Sequence, residues 1–154
     1  MERTLLLVKP DGVARGLVGE VLGRLEAKGL KLVGLKLMRV SSDLAERHYG
    51  VHKARPFYPA LLKFITSGPV VAVAVQGVRA VEVVRTLMGP TFGFDAPPGT
   101  IRGDFGLSKS LNVVHGSDSR ETADFELGLY FRADELVAWP LPGEEWIANP
   151  AEDA

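Results

Sequence analysis

The chain reads as a mixed α/β domain, and three observations carry that reading. Four short apolar runs with strand character alternate with stretches of helical periodicity, the composition is that of an ordinary globular protein, and 154 residues fit one domain spanning 1–154. With 46% hydrophobic and 24% charged residues the chain has enough apolar material for a core, and disorder is not the default. Lys and Arg number 18 against 19 Asp and Glu, a net charge of −1, which removes the broad electrostatic argument for nucleic-acid binding. The chain has no cysteine, so disulfides, thiolate catalysis and cysteine-held metals are excluded.

The elements follow in order. Arg3 to Val8 is an apolar run closed by Lys9-Pro10-Asp11-Gly12, which reads as a central strand and a turn. It is too short for a signal-peptide core or a membrane span, and a soluble cytoplasmic protein is expected. Val18, Val21, Leu22 and Leu25 recur at helical spacing, with Gly29 as the C-cap. Leu30 to Val40 reads as a strand with apolar residues on both parities. Ser42 opens a short helix through Tyr49, and Tyr58 to Ile65 forms another after Arg55-Pro56. Val70 to Val75 is a β-branched and alanine strand, and a helix from Val78 ends at Gly89. Residues 89–112, with five glycines and three prolines, read as one long functional loop. Val113-Val114 begins a fourth strand, and Asp118 or Ser119 caps a helix to about Phe131. The Pro-rich tail, about 138–154, carries Trp139 and Trp146 and is expected to dock, with Pro150 to Ala154 disordered. This order fits a split βαβ ferredoxin-like sandwich or a small parallel sheet, and pattern alone does not choose.

Several residue groups invite a chemical reading. Gly103 with Ser108-Lys109-Ser110 lacks a glycine and the following helix of a phosphate-binding loop, so it is set aside. His48 and His52 lie four apart, but no third ligand is near in sequence, and both read as solvated surface imidazoles. His115 precedes a helix on which Ala123, Leu127, Tyr130 and Phe131 form an apolar arc. Glu126 falls on the flank of that arc, where a carboxylate needs a partner. A histidine N–H would satisfy it, fixing the imidazole tautomer and making the other nitrogen more nucleophilic. Arg85 sits at the edge of its helix's apolar side, and with Thr91 and Arg102 it describes an anion clamp. Two arginines beside a nucleophilic histidine point to phosphoryl transfer rather than acyl transfer.

The stretch Asn112-Val113-Val114-His115-Gly116-Ser117-Asp118 resembles the active-site signature of nucleoside diphosphate kinases. Support comes from Val8-Lys9-Pro10-Asp11-Gly12-Val13, from Arg15-Gly16-Leu17-Val18-Gly19-Glu20 and from His48-Tyr49. Arg55-Pro56-Phe57, Ser67-Gly68-Pro69-Val70-Val71 and the run from Pro98 to Phe105 continue it in the family's order and spacing. The resemblance implies an α+β fold, a ferredoxin-like βαββαβ sandwich whose antiparallel four-stranded sheet is covered by helices. It implies a ping-pong reaction in which His115 takes the γ-phosphoryl group of a nucleoside triphosphate, usually ATP, and gives it to a nucleoside diphosphate. Glu126 would orient His115, and Ser117 would contact Glu126. Arg85 and Thr91 match binders of the β-phosphate, and Arg102 matches a contact to the transferred phosphate. Lys9 and Asn112 match residues at the ribose 3′-hydroxyl, with Tyr49 close to Lys9, and Phe57 matches the aromatic on which the base stacks. Mg²⁺ would arrive with the nucleotide and be held mainly by its phosphates.

Two positions depart from the family pattern. Lys109 stands where a small apolar residue usually walls the base slot, which bears on base preference. Gly93 stands where a Thr-Asn-Pro sequence usually has its proline, so the loop is expected to be looser and Gly93→Pro to raise thermal stability. An RNA-binding module on the same fold would carry aromatics on its central strands and a basic balance, and neither is present. A purely structural assembly protein would turn nothing over. The family assembles as tetramers or hexamers, and the tail with its two tryptophans leads us to expect a homo-hexamer.

Overall fold

The computed structural model describes residues 1–153. Ala154, at the end of the segment expected to be disordered, lies outside the described residues. Four strands, β1 (Glu2–Val8), β2 (Lys31–Arg39), β3 (Pro69–Gly77) and β4 (Val114–Gly116), form one sheet in the order β2-β3-β1-β4. Every neighbouring pair is antiparallel, which selects the ferredoxin-like arrangement over a parallel sheet. β1 and β3 are central because each is apolar on both faces, whereas the pattern of β2 suits an edge. Its mixed parity has a local cause: the pairing register shifts between Leu32 and Gly34. At Gly34 a side chain would meet the Phe131 ring at 2.9 Å.

Helices cover both faces. On one, α3 (Ser42–Tyr49), α4 (Tyr58–Ile65) and α7 (Arg120–Tyr130) pack Tyr49, Ile65, Leu127 and Tyr130 onto Leu5, Leu7 and Ala72. On the other, α2 (Val18–Lys28), α5 (Ala80–Met88) and α6 (Ile101–Phe105) bring Leu25, Val84, Met88 and Ile101 to Leu6, Val8 and Val73. The caps account for the boundaries. Gly29 ends α2 at φ 101°, and Ser119 opens α7 by accepting from the Thr122 N–H. Ser41, rather than Ser42, caps α3 by accepting from Leu44 N.

Four local expectations are corrected. Lys9-Pro10-Asp11-Gly12 is not a bare turn but opens α1 (Pro10–Ala14), because proline suits a first helical position. The long loop is broken by α6, whose Thr100 side chain caps Gly103 N; its glycine hid the helical pattern. Pro150–Asp153 forms a short helix, α8, behind Asn149, whose side chain accepts from Ala151 N. Trp139 docks through its indole N–H to the Leu32 carbonyl at 2.9 Å, but Trp146 remains 88% exposed.

Gly93 overturns the expectation of a loosened loop. It is buried against Gly106, where an added Cβ would lie 2.5 Å from the carbonyl carbon and oxygen, and its N–H donates to Ser108 O at 3.3 Å. Proline would add the clash and remove the donor, so Gly93→Pro should cost about 1–3 kcal/mol and lower Tm by several degrees. Differential scanning calorimetry checks this, and an unchanged or higher Tm would contradict the close approach.

Candidate active site

The alternation of β4 places its residues. Val114 pairs with Val8 and faces the cluster under α5, while His115 pairs with Leu7 and turns toward α3 and α7. Gly116 admits Met88 so closely that a Cβ would meet its sulfur at 2.4 Å. The segment before the strand is bent sharply. Val113 has φ 73°, an unfavourable region for a β-branched residue, and Val114 N donates across it to Asn112 O at 2.8 Å. The surrounding structure holds this γ-turn. Val113 N donates to Asp11 Oδ2 at 3.0 Å and Val113 O accepts from Lys9 N at 2.8 Å.

His115 meets Glu126 where helix phase anticipates. Nε2 of His115 lies 2.7 Å from Oε1 of Glu126, and the Ser117 hydroxyl donates to the same oxygen at 3.0 Å. Burial would raise the Glu126 carboxyl, but hydrogen bonds from His115 and His48 hold it well below the usual carboxylate range. Burial lowers the His115 pKa against the opposing pull of Glu126, with the Lys9 charge adding to the lowering. The ring is thus neutral near pH 7. Its Nε2–H is committed to the carboxylate, and among the described residues Nδ1 has no hydrogen-bond partner and is open to solvent. The His115 side chain is 24% exposed.

His48 is not a surface imidazole. It is 6% exposed, with Nδ1 2.7 Å from the Tyr130 hydroxyl and Nε2 3.2 Å from His115 Nε2. The signal was in the phase of α3, on which Ala45, His48 and Tyr49 share the buried side. Tyr49 stacks on His48 with ring centres 4.0 Å apart and stands edge-on to His115 at 6.1 Å. Burial and the Glu126 charge raise its pKa, so the phenol stays protonated. His52 lies apart from this group and leans on Phe57, which is 50% exposed.

A cationic group lies along the γ-turn. Lys9 Nζ donates to Asn112 Oδ1, and Asn112 Nδ2 donates to the Thr91 carbonyl at 2.9 Å. Arg102 donates from Nε to Asn112 O at 3.1 Å and from its terminal nitrogens to Gly89 O at 3.0 Å and Val114 O at 2.7 Å. Of the five N–H groups of a guanidinium, this leaves two. Arg85 donates to Gly116 O at 3.1 Å. Burial lowers Lys9 to about 8, with Asp11 opposing and Arg102 assisting. Arg102 falls to about 10, through burial and then the charge of Arg85. Buried cations that lower one another lack anionic charge, which a phosphate chain would supply. The Lys109 ammonium sits 5.2 Å from the Phe92 ring centre.

A neutral histidine with a free nitrogen, a buried carboxylate behind it and convergent cations describe a phosphoryl carrier, and the comparisons agree. The profile of the nucleoside diphosphate kinase family matches residues 2–136. The nucleoside diphosphate kinases of Thermomicrobium roseum and Archaeoglobus fulgidus are 59% and 56% identical over 147 residues. Those alignments cover 96% of this chain and 99% and 97% of the relatives. The structure of the Halobacterium salinarum enzyme in complex with CDP superposes with a TM-score of 0.94 at 49% identity, covering 96% of this chain and 99% of that one. A family structure from Babesia bovis gives 0.94 at 45% identity, covering 96% and 100%. By sequence and by fold, this chain belongs to the nucleoside diphosphate kinase family, phosphotransferases that work through a phosphohistidine.

Proposed function

We propose that this chain performs its family's ping-pong exchange at Nδ1 of His115. The observation that carries this is the division of labour on one ring, Nε2 bound by Glu126 and Nδ1 free. The Nδ1 lone pair forms the P–N bond as the P–O bond to the departing nucleoside diphosphate breaks. A terminal phosphate oxygen of a second diphosphate then attacks phosphorus and releases the histidine. Glu126, steadied by Ser117, stabilises the positive charge that the ring gains while Nδ1 is bonded. Arg85 and Thr91 bind the β-phosphate, and the two remaining N–H groups of Arg102 hold the group in flight. Lys9 and Asn112 hold the ribose hydroxyl, with Tyr49 close to Lys9, and Phe57 offers an exposed ring to the base. Stacking reads no hydrogen-bonding edge, so broad base tolerance follows.

The family generally uses a divalent metal with its nucleotides. We take it to be Mg²⁺ entering as part of the substrate, where it neutralises phosphate charge. Among the described residues the one ligand trio, His48, His115 and Glu126, offers two nitrogens and a carboxylate, a set that suits zinc better than Mg²⁺. Among those residues no helix is long and apolar enough to cross a membrane, and we propose that this single-domain enzyme works on cytoplasmic nucleotides, ATP being the usual donor. Incubation with γ-³²P-ATP alone should label the protein through an alkali-stable, acid-labile bond. His115→Ala should abolish labelling and exchange, and His52→Ala should leave both intact. Exchange that persists in His115→Ala would falsify the mechanism.

The assembly we propose is a homo-hexamer. Trp146 stands in solvent beside half-exposed Ile147, and Phe94 and Leu107 are exposed within the 89–112 segment. A buried tryptophan removes about 150–250 Å² from water, which a neighbouring subunit would supply. Light scattering should give six protomers, and truncation after Ala138 should lower that number. A mass of four, or a hexamer that survives truncation, contradicts the role given to the tail.

A further inference from the structure

The group behind His115 extends two residues, His48 and Tyr130, beyond what the proposed phosphoryl transfer uses, and hydrogen-bond accounting fixes its direction. Tyr130 is buried and its pKa is raised, by burial first and then by Tyr49 and Glu126, so its hydroxyl keeps its proton. The sole partner of that hydroxyl among the described residues is Nδ1 of His48 at 2.7 Å. A buried O–H without an acceptor is costly, so Tyr130 donates and Nδ1 of His48 is the acceptor. A ring whose Nδ1 accepts carries its proton on Nε2. That nitrogen faces two atoms, His115 Nε2 at 3.2 Å and Glu126 Oε2 at 3.4 Å. His115 Nε2 already carries the proton it gives to Glu126 Oε1, so only Oε2 can accept from His48.

We propose that Tyr130 and His48 form a positioning relay that holds the second oxygen of Glu126 and thereby keeps His115 in the tautomer with Nδ1 free. The order is Tyr130 O–H to His48 Nδ1, His48 Nε2–H to Glu126 Oε2, and His115 Nε2–H to Glu126 Oε1. Were the carboxylate free to rotate, His115 would exchange tautomers and place its proton on the nitrogen that must attack phosphorus. Neither relay residue touches the nucleotide in the proposed reaction; both act through Glu126. The stacking of Tyr49 on His48 fixes the plane of the middle ring.

The relay rests on His115 being the phosphoryl carrier, so the two are tested separately. Wild-type protein is first labelled with γ-³²P-ATP; if it takes no label, the reading of His115 fails before the relay is tested. In labelled protein, Tyr130→Phe keeps the ring volume and removes the terminal donor. His48→Leu removes the middle link, and His48→Gln restores an amide N–H near the position of Nε2. The His48 bond to the carboxylate is charge-assisted and the Tyr130 bond to His48 is neutral, so with KM unchanged His48→Leu should lower kcat by about ten-fold or more and Tyr130→Phe by about three- to ten-fold. His48→Gln should recover most of the loss. In ¹⁵N-histidine spectra of the free enzyme, His115 should show a protonated Nε2 and a bare Nδ1, and both impaired variants should mix the tautomers. Because Tyr130→Phe is nearly isosteric, it decides the matter if His48→Leu does not fold. The relay is overturned by an unchanged kcat and an unmixed His115 tautomer in Tyr130→Phe, or by His48→Gln being as slow as His48→Leu.

Discussion

The hydrogen bond between Nε2 of His115 and the buried Glu126 carboxylate is the contact on which the rest of the site depends. A carboxylate at that depth is tolerated only while donors surround it, and His115, His48 and Ser117 surround this one. The same bond sets the chemistry, because a ring whose Nε2–H is committed presents Nδ1 as a base and nucleophile. Acid attacks both functions together. Glu126 titrates lower when folded than when unfolded, so its stabilisation is present above the unfolded value of 4.5 and lost as the pH falls through the folded one. His115 also titrates lower when folded, so protonation of the unfolded chain draws stability away as the pH drops below 6.5.

Reaching that bond requires an unusual backbone. The chain turns at Val113 in a conformation that β-branched residues avoid, and the turn persists because Asp11 and Lys9 bind both of its peptide groups. Arg102 then ties the turn to the end of α5 by donating to Asn112, Val114 and Gly89. A single guanidinium thereby joins the nucleophile's strand to the glycine-rich loop while keeping two N–H groups for an anion. These three hydrogen bonds account for a buried arginine in so small a protein.

Much of this was legible in the sequence. Strands β1 and β3 were apparent because a strand covered on both faces is a continuous apolar run, and α2 and α7 because their periodicity is uninterrupted. Glu126 was recognisable as a carboxylate out of place on an apolar arc. The α+β sheet order came from family resemblance rather than periodicity, since the same alternation also suits a parallel sheet. Other features were hidden for physical reasons. α6 was obscured because Gly103 approaches Pro97 too closely to carry a side chain, and a helical glycine mimics a loop. Gly93 looked like a gain in flexibility when it is a point of contact. His48 was misjudged because sequence distance concealed its partner: Tyr130 lies 82 residues on, and only the packing of α3 against α7 joins them.

The central claim is that Glu126 claims one nitrogen of His115 so that the other carries phosphate. The direct measurement is heteronuclear NMR of the phosphoenzyme, formed with ATP and Mg²⁺ from protein labelled with ¹⁵N at histidine. The account predicts one phosphohistidine, on His115, with phosphorus coupled to Nδ1 and a proton retained on Nε2. Phosphorus coupled to Nε2, or carried on His48, would contradict it.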